Sequence, residues 1–141
     1  MAQTFTAQVQ RFADLTKSKM EAVVKKSAER VFEAAQTPKV QGGSMPVDTG
    51  FLRNSFVAEL NGGGVTSGPD AYGLVIANYE LGDAIFGGWT AEYAIRMEYG
   101  FSGEDALGRT YNQAGNFFAL NAAMQWQSIV AQEAERARNM R

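Results

Sequence analysis

The stretch Phe117–Asn139, FFALNAAMQWQSIVAQEAERARN, decides how this chain must fold. It contains no proline or glycine and is rich in Ala, Gln and Glu, so it reads as a helix. At 100° per residue, Phe117, Leu120, Met124 and Ala131 line one side. Phe118, Ala122, Trp126 and Ile129 line another, displaced by roughly 150°. A helix on the surface of a monomer needs one apolar stripe. Two stripes imply burial on both sides, once against the subunit's own core and once against a neighbouring copy. The face expected to meet the neighbour is that of Phe118, Ala122, Trp126 and Ile129. The alternative is a helix sandwiched wholly within its own subunit.

Upstream, residues 101–116, FSGEDALGRTYNQAGN, read as a loop. Before them, Thr90 is an expected N-cap for a short helix over 91–99, with Gly100 just past its end. Phe56, Ala58 and Leu60 alternate with Ser55, Val57 and Glu59, the period of a half-buried strand over 54–60. Asn61-Gly62-Gly63-Gly64 then supplies a turn. The run Leu74-Val75-Ile76-Ala77 reads as a buried strand, and Ala84-Ile85-Phe86, after a turn at Gly82-Asp83, as a short third. Together they predict a small antiparallel sheet.

The other end of the chain is helical from about Thr6 to Gln36. Phe5, Val9, Phe12, Met20, Val23 and Val31 fall near one side, and Thr37-Pro38 stops the run. Such a helix is about 45 Å long at 1.5 Å per residue. That exceeds what a compact domain of this size can cover, so part of it must touch something else. The expected fold class is α+β, in a single domain over 1–141: a long N-terminal helix, a small antiparallel β-sheet, a short helix and a long C-terminal helix.

Composition narrows the chemistry. The 141 residues include no cysteine and no histidine, which removes disulfides, thiol nucleophiles, imidazole-based triads and most zinc sites. A formal charge of −2 does not suit a protein whose main task is gripping nucleic acid. The clustered Lys17, Lys19, Lys25 and Lys26, and Arg136, Arg138 and Arg141, read as solvated helix faces. No apolar run reaches the ~20 residues of a membrane span. The opening MAQTFTAQVQRF lacks the charged start and apolar core of a signal peptide, so the protein is expected to stay in the cytoplasm where it is made.

Two segments carry a recognisable pattern. Pro46-Val47-Asp48-Thr49-Gly50-Phe51-Leu52-Arg53-Asn54-Ser55 fits P-x-D-T-G-x-L-R-x-S. Tyr93-Ala94-Ile95-Arg96-Met97-Glu98-Tyr99-Gly100 fits Y-A-x-x-x-E-[YF]-G. In this order, between two long helices, they resemble the tail-component family of long-tailed bacteriophages, which contains neck, tail-completion and head-tail joining proteins. The resemblance covers nearly the whole chain. It implies a virion subunit of the neck that joins the head connector to the tail. Its copies would form a closed, six-fold ring around the DNA channel and meet other neck, connector and tail proteins. DNA would pass without specific binding. A tail terminator, or a minor head or tail component, is the nearest alternative station. The resemblance implies no catalysis, cofactor or metal.

The motif residues also have a physical reading. Asp48 and Thr49 can cap the first turn after the loop, Gly50 permits a tight turn, and Leu52 is expected to point into the core. Arg53 is expected to pair with Glu98, within the subunit or across an interface. Asp48-Thr49-Gly50 is also the triplet of aspartic proteases, in which paired carboxylates share a proton. A dimer could supply the second copy. The context argues against it: the triplet follows GGSMP rather than an apolar strand, Pro46 fits badly in a central strand, and long helices flank the whole.

Weaker signals resolve to structure. Asn61-Gly62-Gly63-Gly64 lacks the Lys-[ST] of a phosphate loop, and Asp70, Glu104 and Asp105 lack calcium-loop spacing. Trp89, Tyr93 and Tyr99 are the sort of residues that stack bases, but beside a helix they read as core or interface anchors.

Overall fold

The computed structural model describes residues 4–47, 50–104 and 106–139. The architecture is α+β, as the periodicities require. Helix α1 spans Phe5–Ala35 and starts at Thr4, whose hydroxyl accepts the Ala7 N–H at 3.1 Å. It stops before Pro38, where a short 3-10 turn Lys39–Gln41 follows. Helix α2, Phe51–Asn54, leads into strand β1, Phe56–Leu60. Strands β2, Thr66–Ser67, and β3, Ile85–Trp89, flank β1 on either side, both antiparallel to it. The register sets Phe56 opposite Trp89 and Leu60 opposite Ile85.

Between β2 and β3 lies helix α3, Ala71–Ala77, where the Leu74–Ala77 run had suggested a strand. An apolar run of four cannot separate the two by periodicity. Both flanks of β1 are already taken by β2 and β3. In a helix Ala71 and Val75 fall on one face, where they are buried with Phe56 and Ala58.

The predicted helix over 91–99 is shorter, α4 at Ala94–Tyr99 with Tyr93 in the cap position. Thr90 does not cap it. Its N–H and hydroxyl both go to the Ser55 carbonyl, which extends the β1–β3 pairing by one step. The segment expected to be a loop over 101–116 is an antiparallel hairpin, β4 Gly100–Glu104 with β5 Thr110–Ala114. Its composition, with three Gly and two Asn among mostly polar residues, hides the strand period. Finally, the C-terminal helix is divided at Gln125 into α5, Phe118–Met124, and α6, Trp126–Asn139.

Two apolar clusters form the core. Met45, Leu52, Ala91 and Phe118 make one, and Phe56, Ala58, Ala71 and Val75 the other. Trp89 joins them, its ring 5.3 Å from that of Phe56 and 4.9 Å, edge-on, from that of Phe118. Helix α1 lies on the sheet where Gly87 has no side chain: a Cβ there would sit 2.6 Å from the Phe32 ring.

The two long helices are tied together by a partly buried ionic cluster. Arg30 of α1 donates to Glu133 at 2.9 Å and to Gln132 at 2.9 Å on α6, and Arg136 reaches Glu133 at 3.0 Å. Glu133 is only 6% exposed, so its charge needs these partners. Arg30→Ala is expected to cost about 1–3 kcal/mol in urea unfolding, because Arg136 still neutralises Glu133 but the bridge to α1 is gone.

Candidate assembly surfaces and the motif residues

The second motif segment works as a clamp on the C-terminal helices. Glu98 lies in the last turn of α4 and is buried. Its two carboxylate oxygens accept the N–H groups of Ala119 and Leu120, each at 3.0 Å. These are among the amides that the first turn of a helix leaves without a partner. Phe117, in the cap position, has a left-handed backbone and makes no side-chain cap. Glu98 therefore supplies from a distance what a local Ser or Asp would supply elsewhere. The Glu98 carbonyl also accepts the Phe117 N–H at 3.0 Å, and the Met97 carbonyl accepts the backbone N–H and the side-chain amide of Asn116, each at 2.8 Å.

Gly100 is what lets the chain pass so close. It has φ +88° and ψ 176°, a region open essentially to glycine alone. A Cβ at Gly100 would lie 2.6 Å from the Gln113 carbonyl oxygen. The neighbouring Tyr99 ring is exposed and stands edge-on to Phe117 at 6.4 Å.

The first motif segment packs against the second. Leu52 is buried with Phe118 and Ala91, as its place in the motif implied. The Phe51 ring lies 5.9 Å from that of Tyr93. Gly50 occupies the position before α2 with φ +82°. Asp48 and Thr49 lie outside the described residues.

Arg53 and Glu98 do not pair within the subunit. Both Glu98 oxygens are held by backbone amides, whereas Arg53 lines a polar pocket of about 160 Å³ with Glu33, Asp70 and Tyr72. Burial, then the Glu33, Asp70 and Glu29 carboxylates, push the Tyr72 phenol above its ordinary value, and Arg53 opposes them. Linear spacing gave no sign that Arg53 turns towards the end of α1 rather than towards α4.

The two stripes of the C-terminal helix are resolved in the opposite sense to that expected. Phe118 and Ala122 are each 2% exposed and Ile129 is 4% exposed. They are core residues of their own subunit and are not available to a neighbour. Trp126 is 40% exposed and lines an apolar hollow with Val24, Phe32 and Ile85. The stripe left in solvent is the other one, with Phe117, Leu120 and Met124 all exposed. A helical wheel reveals two faces but cannot rank them. The ranking is made by Glu98, which holds the start of α5, and by Trp89, whose ring fixes Phe118 inward.

A long exposed surface lies on α1. Every residue from Thr4 to Ser18 is exposed, and Thr16 is where the groove against α6 begins, so about 18 Å of helix before it, at 1.5 Å per residue, forms an arm. Phe5, Val9 and Phe12 form a stripe along it at spacings of four and three. Met20 and Val23 continue the stripe into a groove completed by Leu81, Ala134 and Ala137.

The chain matches no family model, no curated protein and no solved structure. Among the described residues, no group of three or more acidic side chains could hold a metal ion. Nor is any described helix long and apolar enough to cross a membrane.

Proposed function

We propose that this chain is an assembly subunit of a bacteriophage neck, joining the head connector to the tail as a closed six-fold ring around the DNA channel. The observation that carries this reading is the arm of α1. Fifteen consecutive helical or capping residues are exposed, yet carry two phenylalanines and a valine on one side. Isolated helices of ~12–15 residues are marginal in water, and monomers seldom leave long apolar stripes in solvent. A protein whose work is to join other proteins has a use for such an arm.

The two motif segments supply the second support. They resemble the neck and tail-completion pattern, and they meet at the point where the C-terminal helices are anchored to the core. A ring of identical head-to-tail contacts needs two different complementary patches on each subunit. The arm and the exposed Phe117–Leu120–Met124 stripe are apolar surfaces free to meet copies or neighbours. A net charge of −2 suits a channel that lets DNA slide past.

The test is electron microscopy of a lysate from a phage with a nonsense mutation in this gene. Separate DNA-filled heads and finished tails are the expected result. Over-long tails would move the subunit to the tail terminator, and immature heads would overturn the assembly reading altogether.

A further inference from the structure

We infer that the α1 arm of one subunit docks on the outer face of the three-stranded sheet of a second copy. This rests on the self-assembly proposed above and names the two surfaces that make the contact. The register puts Val57 opposite Gly88 and Glu59 opposite Phe86, all on the face away from Phe56 and Ala58. Helices α1 and α3 pack on the Phe56 side. An antiparallel sheet with one solvated face normally turns polar residues outward. Here that face presents Val57 and Phe86, with the exposed Val65 beside them.

Shape and charge both fit the arm. No atom lies within 4 Å of the position a Gly88 Cβ would take, and the hollow around it measures about 260 Å³. Such a hollow accepts an aromatic side chain of the kind the arm offers in Phe5 and Phe12. Over Thr4–Ser18 the arm carries Arg11 and Lys17 against Asp14. The outer-face hollow carries the Glu59 carboxylate and is lined by no basic side chain among the described residues. The net positive arm and the Glu59-bearing sheet face are therefore of opposite sign between two copies of one chain. Because the two patches differ, the contact is head-to-tail, the type that closes into a ring.

The chain has no cysteine, which makes the test direct. Val9→Cys and Phe12→Cys mark the arm, and Val57→Cys marks the sheet face. Mixing an arm variant with the sheet variant under mild oxidation should give a covalent dimer, while each variant alone gives none. Placing an arm cysteine and Val57→Cys in one chain should give a ladder that ends at the ring size. Phe12 is 71% exposed, so Phe12→Asp should keep the monomer's circular dichroism and melting profile but lose the multimers seen by mass photometry.

A disulfide in Val9→Cys alone would mean that arms pair with each other, and would overturn the inference. Multimers unchanged by Phe12→Asp would also overturn it, leaving the ring itself standing. A wild-type chain that stays monomeric at all accessible concentrations overturns arm docking, and the neck reading is then judged separately by the lysate micrographs.

Discussion

Phe118→Asp should abolish the fold, while Met124→Asp, six residues along the same helix, should leave it within about 0.5 kcal/mol of wild type. Phe118 is 2% exposed, at the centre of the cluster with Met45, Leu52 and Ala91, and the Trp89 ring stands edge-on to it at 4.9 Å. Truncating a buried phenylalanine alone costs about 3–5 kcal/mol. An aspartate there adds either an unpaired buried charge or the cost of protonating it. That exceeds what a small domain's stability of about 5–15 kcal/mol readily absorbs. Met124 is 74% exposed and gives up nothing within the subunit. Urea titration followed by circular dichroism separates the two. A soluble, cooperatively folded Phe118→Asp protein would return that residue to the outside and restore the interface first read from the helical wheel.

The pair also shows where the sequence was legible. The two stripes of residues 117–139 were plain from their spacing, and so was the excess length of α1. Both are properties of one element, and period alone carries them. What the spacing could not carry was which stripe is inside, because that depends on partners distant in the chain. Phe118 is held by Trp89 and Leu52, and the start of α5 by Glu98. The same limit explains the Leu74–Ala77 run. Its apolar residues were recognised as buried, but strand or helix was decided by β2 and β3 already occupying both sides of β1.

The hairpin at 100–114 failed for a different reason. Its strands are largely solvent-facing, so they lack the alternation that betrays a strand with one buried face. The motif residues fall between these cases. Leu52 could be placed inward from the pattern alone, as could Gly100 at the end of a helix. The pairing of Arg53 with Glu98 was an inference from co-occurrence, and the Glu98 carboxylate has a nearer use.

That use yields the second large effect. Glu98→Ala should lower stability by about 3–4 kcal/mol, since it removes two hydrogen bonds to a charged acceptor, each worth roughly 1.5–3 kcal/mol. Ala119 and Leu120 would keep N–H groups with no acceptor at the foot of α5. Phe117 cannot take over, because its side chain offers no oxygen and its left-handed backbone already sets the entry into the helix. Glu98→Gln preserves one carbonyl acceptor in the same shape but brings an amide that cannot accept, so it should lose about half as much. Glu98→Asp keeps the charge on a stem one methylene shorter and should fall between wild type and Ala. Hydrogen exchange gives the sharper readout. In Glu98→Ala, protection should fall first at Ala119 and Leu120 and then along α5, while the β1–β3 ladder keeps its protection until global unfolding. If the exchange pattern of α5 were unaltered and only the overall stability dropped, the carboxylate would be filling space rather than capping. The family-like segment around Tyr99 and Gly100 would then need another reason for its glutamate.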